Sequence, residues 1–379
     1  MTIYLIFWVA ALAIASFIKS NWMQIAFCVL VFVFVGLRYE TGFDWPVYKR
    51  TFEVMAVDFS VDGILAYSQT FKVELGWLVV NGITGMIFPE YEFLQAIVAL
   101  VFLVSTYKLC RALGVQNVAM AVAIASTYLL LTLLFSTTRQ CFAVSIFNFA
   151  VVAAVNRRWT LMVMLSAFAL SIHISTILYI VALVYALVRP SKLPRPAVVA
   201  AMSIVIIGLI LAIPFAASYL PDHLASRVIW YGLDKSFENI RLWQIYFLIL
   251  GAFIAGYALL AGPADQTPDT VSTFHRRIIV ALAVMCLCTY SLDVVRDRIS
   301  YEMFLIFSIY LARSNIPFRL AARSTAVALG LSFSLLNIFE PANRIVFMPY
   351  QSAVTVVLTG DEGDGQARQE LLHREFERR

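Results

Sequence analysis

Charge is scarce in this sequence: Asp, Glu, Lys and Arg make up 13% of its 379 residues, where a soluble domain carries about a quarter. With 61% hydrophobic residues, 29 Phe and 17 Tyr, the chain holds more apolar surface than one soluble core can enclose, which excludes a water-soluble enzyme. Cysteine is sparse too. Cys28, Cys110, Cys141, Cys286 and Cys288 lie in or beside apolar runs, with no pairing pattern and no His or carboxylate at zinc-ligand spacing, and read as small hydrophobes. A basic stripe is missing. The formal charge of +5 is scattered singly or in pairs, so nucleic acid is not an expected partner. There is no phosphate-binding glycine loop and no internal repeat, and ATP hydrolysis is not expected. Met1 to Phe17 has no basic region ahead of its apolar stretch and reads as a first membrane helix, not a cleaved signal.

What the chain has in abundance is apolar runs, with a mean hydropathy of +0.84. Candidate spans fall at 2–18, 22–37, 91–108, 118–136, 140–156, 159–172, 174–188, 197–217, 242–261, 277–292, 299–313 and 323–339, several of them short of the usual length of about 20 residues. Trp159 to Val188 is preceded by Arg157 and Arg158 and followed by Arg189, Lys192 and Arg195. The positive-inside rule therefore asks for an even number of crossings, which a tight hairpin with His173 at its outer turn supplies. Leu75 to Phe88 is short and contains Asn81, Gly82, Thr84 and Gly85; it is expected to be re-entrant, covered by protein or water. With that choice 13 basic residues lie inside, including Arg276 and Arg277, against only Asp265 and Asp269. The expectation is an all-α integral membrane protein of about 12 transmembrane helices. It comprises a single polytopic domain over 1–358, with both ends outside and outer loops at 38–90 and 216–241, followed by a charged flexible tail at 359–379. Within the first loop, Val47, Phe52, Val54 and Met55 among Lys49, Arg50 and Glu53 predict a helix lying on the interface.

Four clusters carry chemistry. GLRYETGFDWPVYKRTF, Gly36 to Phe52, places Arg38, Tyr39, Glu40, Asp44, Trp45 and Tyr48 at the membrane surface with Gly42 free to turn the backbone. An aromatic belt with snorkelling charges is the plain alternative. In STTRQCFAVSIFNFA, Ser136 to Ala150, Arg139 and Gln140 sit between two apolar segments with no room for a loop. A charge at membrane depth usually faces a cavity, unless it snorkels at a helix turn. In LSIHIST, His173 is flanked by Ser171, Ser175 and Thr176; it reads as a packing residue or as a proton acceptor. In LDVVRDRISYEMF, Leu292 to Phe304, Arg298 and Tyr301 share a face if helical, against a solvated loop with internal ion pairs. Asp222, Arg227, Tyr231, Lys235, Arg241, Asn343, Arg344 and Tyr350 complete an outer-face set. Converging arginines fit a lipid-linked diphosphate, and Tyr or Trp beside them suit sugar rings.

The order and spacing of GLRYETGFDWPVY, TTRQCFAVSIFNFA with a basic pair after it, FALSIHIST, DRISYEMFL and PYQS resemble the EpsG family of bacterial Wzy-like polysaccharide polymerases, over about residues 3 to 355. Usual members have a tyrosine after the aspartate where this chain has Trp45. The resemblance implies a GT-C-like, multi-pass glycosyltransferase of the bacterial inner membrane. Such an enzyme joins oligosaccharide repeat units carried on undecaprenyl diphosphate at the outer face, with inversion, and works with a chain-length regulator and a flippase. On that reading Arg38, Arg139 and Arg298 bind the diphosphate, and Asp44 or His173 is the base, with Asp44 preferred. Tyr39, Tyr48, Gln140 and Tyr301 line the sugar path, and Arg227 and Arg344 add to substrate binding. No cofactor or metal is expected, because arginines neutralise the leaving group and no dense acidic cluster occurs. The sugars, the linkage and the kind of product (capsule, exopolysaccharide or O-antigen) stay open. A lipid-linked oligosaccharide flippase, a membrane O-acyltransferase and a scaffold subunit of an export complex are the competing readings.

Overall fold

The structure, a computed structural model, describes residues 1–188, 242–260, 270–290, 292–314, 316–360 and 363–377. Among the described residues it is helical, with one isolated β-bridge and no strand. The span expected at 197–217, the outer loop at 216–241 and Arg227 lie outside the described residues. Numbered along the described chain, the helices before that interruption are α1 (Thr2–Phe17), α2 (Asn21–Gly36), α3 (Trp45–Val57), α4 (Val61–Phe71), α5 (Leu75–Ile87), α6 (Tyr91–Ala112), α7 (Val118–Leu129), α8 (Thr138–Val155), α9 (Trp159–Ile172) and α10 (Thr176–Val188). Those after it are α11 (Leu242–Leu260), α12 (Thr270–Cys288), α13 (Asp293–Leu311), α14 (Arg319–Phe339), α15 (Pro341–Phe347), α16 (Ala353–Thr359) and α17 (Gly365–Glu377).

Five of these, Tyr91–Ala112, Val118–Ser136 (α7 with its π-helical end), Thr138–Val155, Thr270–Cys288 and Arg319–Phe339, are long and apolar enough to cross a membrane. The protein is a helical membrane protein. Shorter apolar helices fall where α1, α2, α5, α9, α10 and most of α11 lie. Around His173 the chain breaks between two helices: α9 ends at Ile172, His173 is its C-cap and α10 starts at Thr176.

Two compact units make up the chain, Met1–Thr176 with Arg323–Arg379, and Ile177–Ala322. The core of the first is α7 and α8, which are buried nearly all round, as helices apolar on every face should be. Trp8 reaches it from α1, its indole N–H donating to the Ser126 carbonyl at 3.0 Å. Ser334 of α14 does the same to the Thr127 carbonyl at 2.6 Å. The face that α3 buries is Trp45, Tyr48, Thr51, Phe52 and Met55, at helical spacing, and it packs on α5. Val47 and Val54 are exposed. The amphipathic helix of the first loop therefore covers protein with its apolar face, on which Tyr48 meets Trp77 of α5.

In the second unit Arg276 and Arg277, counted in the sequence among the inner-side charges, are both buried. Arg276 donates to the carbonyls of Ala258 and Leu259 at 2.7 and 3.0 Å, in the last turn of α11. Arg277 donates to the Tyr185 carbonyl at 2.7 Å and lies 4.5 Å over the Tyr185 ring, near the end of α10. Helix C-termini carry unpaired carbonyls and the negative end of the dipole, and the two guanidinium groups satisfy both.

The segment 359–379, expected to be mobile, contains α17, packed on α15. Its polar composition gave no sign of this, because one buried side chain, Arg368, holds it.

Candidate functional site

The first motif starts where α2 ends. Tyr39 donates its N–H to the Gln351 carbonyl at 2.9 Å, and Ala353 donates to the Leu37 carbonyl at 2.7 Å, with Arg38 and Ser352 as the bridged pair. The late PYQS segment is thereby fastened to the first motif across more than 300 positions. Arg38 turns inward and is 1% exposed. It donates to the Val35 carbonyl at 2.8 Å and to the Phe135 carbonyl and Thr138 Oγ1, each at 3.4 Å.

The Phe135 carbonyl is available because α7 widens into a π-helix over Leu130–Ser136, a form that disturbs the regular carbonyl ladder and concentrates at functional sites. The same turn presents Ser136 Oγ, which accepts the Phe43 N–H at 3.3 Å. Gly42 passes so close that a Cβ would collide with the Phe135 carbonyl, and its φ is +116°, so only glycine fits there. Four residues on from Glu40, Asp44 takes the N-cap position of α3, and Tyr48 donates to its Oδ2 at 3.4 Å.

Arg139 occupies the first turn of α8, and its Nη1 donates to Glu74 Oε2 at 2.6 Å. Glu74 is the N-cap of α5. Its Oε1 accepts the N–H of Ile174 at 3.3 Å, which ties α8 and α5 to the turn after His173. The ring of His173 is 5% exposed. Its Nδ1 takes the Ser175 N–H at 3.2 Å and lies 2.8 Å from Ser175 Oγ. An Nδ1 that accepts a backbone N–H puts the neutral ring's proton on Nε2.

One turn inward from Asp44, Glu74 and Arg139 lie Tyr48, Trp77 and Phe142. Their rings form a layer, with centroids 5.8 Å apart for Tyr48–Trp77 and 6.4 Å for Trp77–Phe142. The N-termini of α3, α5 and α8 therefore meet at one place above an aromatic floor. Their positive dipole ends and Arg139 favour an anion there. Among the described residues Arg38 Nε, Trp77 Nε1 and Arg139 Nε are buried without a hydrogen-bond partner. Gln140 is buried beside Arg139. Tyr39 is half-buried, and burial, then the Glu40 carboxylate, raises its phenol above the ordinary range, which keeps it a donor. Arg344 is exposed in the last turn of α15, a helix that packs Val346 and Phe347 against Phe43.

Arg298 and Tyr301 belong to the second unit. They are three apart in α13 and share a face, as the spacing predicts. The Arg298 carbonyl accepts from Tyr179 Oη at 2.5 Å, and Tyr301 is buried. The acids of this patch serve Arg296, which binds Asp293 at 2.8 Å and Asp297 at 2.9 Å and lies 4.1 Å over the Phe247 ring. One turn past Arg298, Glu302 is fully buried, and neither carboxylate oxygen has a hydrogen-bond partner among the described residues.

Of the residues singled out in the sequence, Arg38, Tyr39, Asp44, Tyr48, Arg139, Gln140 and His173 lie in the first unit and Arg298 and Tyr301 in the second; Glu74 was not singled out, and Glu302 was named in its patch without a role. For Glu302 the signal was present, a carboxylate inside an apolar run. Glu74 gave none, since its partner is 65 residues away. Among the described residues no group of three or more His, Cys, Asp or Glu could hold a metal ion.

No curated protein matches the chain, and no solved structure does. The sequence profile of the EpsG family matches residues 21–352, from the start of α2 to the Arg38–Ser352 bridge, and so includes every segment of the site just described. That match associates the protein with polysaccharide biosynthesis at a membrane, and the chain belongs to the EpsG family.

Proposed function

We propose that the protein is a polysaccharide polymerase, an inverting glycosyltransferase that joins oligosaccharide repeat units carried on undecaprenyl diphosphate at the outer face of the bacterial inner membrane. The observation that carries this reading is the meeting of three helix N-termini, Arg139 and Asp44 above the Tyr48–Trp77–Phe142 layer. An anion-binding corner beside flat aromatic faces suits a diphosphate joined to a sugar.

In the reaction the bond between the anomeric carbon of the growing glycan and its phosphate oxygen breaks. The acceptor sugar's hydroxyl oxygen bonds to that carbon from the opposite side, the hydroxyl proton passes to a carboxylate, and the diphosphate leaves on its lipid. The leaving group is good already, so positioning and charge stabilisation are what the protein adds. Asp44 is the base. The tautomer of His173 supports this, because its Nδ1 is occupied by Ser175 and its Nε2 bears the proton. Arg139, oriented by Glu74, takes the diphosphate, with Arg38 and Arg298 as further cationic groups. Tyr39, Tyr48, Gln140 and Tyr301 contact sugar, and Arg227 and Arg344 add to substrate binding. The lipid bilayer, a chain-length regulator and a flippase are the expected partners, and no metal takes part. About twelve membrane helices in a GT-C-like arrangement belong to the same proposal.

Reconstitution with a lipid-linked repeat unit tests it. Wild type should lengthen the glycan, and Asp44→Ala, Arg139→Ala and Arg298→Ala should lose most of the rate while folding normally. Normal polymerisation by all three variants would overturn the site, and transbilayer movement of the lipid without lengthening would favour a flippase.

A further inference from the structure

The C-terminal helix α17 begins beyond residue 352, where the family match ends, yet it is anchored on the first motif. Arg368 enters from α17 and is 6% exposed. Its Nη2 donates to the Glu40 carbonyl at 2.9 Å and to Gln351 Oε1 at 3.0 Å. Its Nη1 donates to the carbonyls of Val346 at 3.3 Å and Pro349 at 3.2 Å, and Asp364 pairs with its Nε at 2.6 Å. One planar guanidinium thus holds the motif loop and the 346–351 turn together, a geometry its fork of donors is built for.

The residue it holds is strained. Glu40 has φ +43°, a left-handed conformation costing a non-glycine residue about 1–2 kcal/mol, which persists only where the surroundings over-determine it. Here α17 supplies that determination twice. Arg368 takes the Glu40 carbonyl, and the N–H of Gly365 donates to Glu40 Oε2 at 3.0 Å. Gly365 approaches Glu40 so closely that a Cβ would collide with its carboxylate. The other carboxylate oxygen, Oε1, lies 3.8 Å from Lys49 Nζ in α3. Glu40 is therefore a link between α17 on one side and α3, the helix that Asp44 caps, on the other.

We infer that Arg368 is a positioning residue for the reaction proposed above: through Glu40, α17 fixes the 40–44 loop and hence the place of the Asp44 carboxylate. This rests on Asp44 acting as the base, and the geometry of the strap stands apart from that role. The conformation-holding part is a property of the folded chain and can be read without substrate. The catalytic part predicts a loss in turnover with little loss in substrate binding, because Arg368 reaches no part of the anion corner itself.

The experiment uses the full chain in lipid nanodiscs, as wild type, Arg368→Ala and Arg368→Lys, with Glu53→Ala, on the exposed side of α3, as a control. Hydrogen exchange of the amides at 39–44 and 346–352 is compared with that of α7 and α8. With lipid-linked repeat units, kcat, KM and the acid limb of the pH–rate profile are measured. Arg368→Ala should raise exchange in both loops, leave α7 and α8 protected, and lower kcat about tenfold or more, as for a misplaced catalytic group, with KM unchanged and the acid limb displaced. Arg368→Lys, which keeps charge but not the fork, should recover only part. If Arg368→Ala does not fold, the Lys variant carries the same comparison. Unchanged loop exchange overturns the inference, as does a rate loss that leaves the acid limb where it was. If wild type makes no polymer while exchange rises as stated, the polymerase reading fails and the strap stands.

Discussion

Glu74 holds Arg139 by a 2.6 Å charge-assisted bond while its second oxygen takes the N–H of Ile174. Arg139 is therefore not a bare cation in lipid. Its charge is balanced, its direction is fixed, and its Nε has no hydrogen-bond partner among the described residues. A bond of this kind is worth about 1.5–3 kcal/mol, so Glu74→Gln is expected to lower the polymerisation rate about ten- to a hundredfold by letting the guanidinium turn. The double variant Glu74→Gln with Arg139→Ala should be no slower than Arg139→Ala alone, as expected for two residues acting as a unit. Additive losses in the cycle would show that each acts by itself.

The two candidate bases separate by pH. A base works only when deprotonated, so the rate should rise with pH through the titration of the group concerned and then level. His173→Asn, whose Oδ1 can replace Nδ1 as acceptor for Ser175, is expected to keep the acid limb and most of the rate. Asp44→Asn should abolish the limb together with the rate. A limb lost in His173→Asn but kept in Asp44→Asn would reverse the assignment.

How far this site could be read in the sequence depended on the range of the interaction. Helix bounds followed from apolar runs, and α1, α2, α9 and α10 end within about two residues of expectation, the usual scatter of helix ends. The break between two helices at His173 followed from the basic residues flanking the apolar run 159–188. Partnerships did not follow. Arg276 and Arg277 look like loop charges until the carbonyls of Ala258 and Tyr185 are beside them, and Arg38 looks surface-bound until the π-helix offers it the Phe135 carbonyl. Arg368 shares its polar surroundings in sequence with exposed Arg374, and only the bend at Glu40 distinguishes the two.

Trp45, the residue after Asp44 in the first motif, is 5% exposed, and Lys49 lies 6.0 Å over its ring. Tyrosine keeps a flat face for that cation, so Trp45→Tyr is expected to retain activity and nearly all stability. Trp45→Ala should cost about 3–5 kcal/mol, seen as a lower Tm in detergent. Loss of activity in Trp45→Tyr with an unchanged Tm would assign the indole a substrate contact.

Arg277 makes a testable case for arginine as a helix C-cap. Removing it leaves the Tyr185 carbonyl unpaired in an apolar setting, at about 1–3 kcal/mol, and forfeits the contact with the Tyr185 ring. Arg277→Ala should lower Tm clearly, and Arg277→Lys, which cannot stack as a plane, should fall between. If the Ala variant melts with wild type while its membrane orientation inverts, the residue serves topology instead.

Metal removal bears on the mechanism itself. A diphosphate leaving group needs its growing charge matched in the transition state, and the proposal assigns that task to Arg139, held by Glu74, and to the N-termini of α3, α5 and α8. None of these is lost to a chelator. Purified enzyme treated with EDTA is therefore expected to lengthen lipid-linked glycan at an undiminished rate, and added magnesium or manganese should not raise it. Arg139→Ala should not be rescued by either ion, since the missing group is an oriented donor as well as a charge. Activity lost on chelation and restored by a divalent cation would move the charge-matching task from the arginine to a metal and remove the reason for placing Arg139 on the diphosphate.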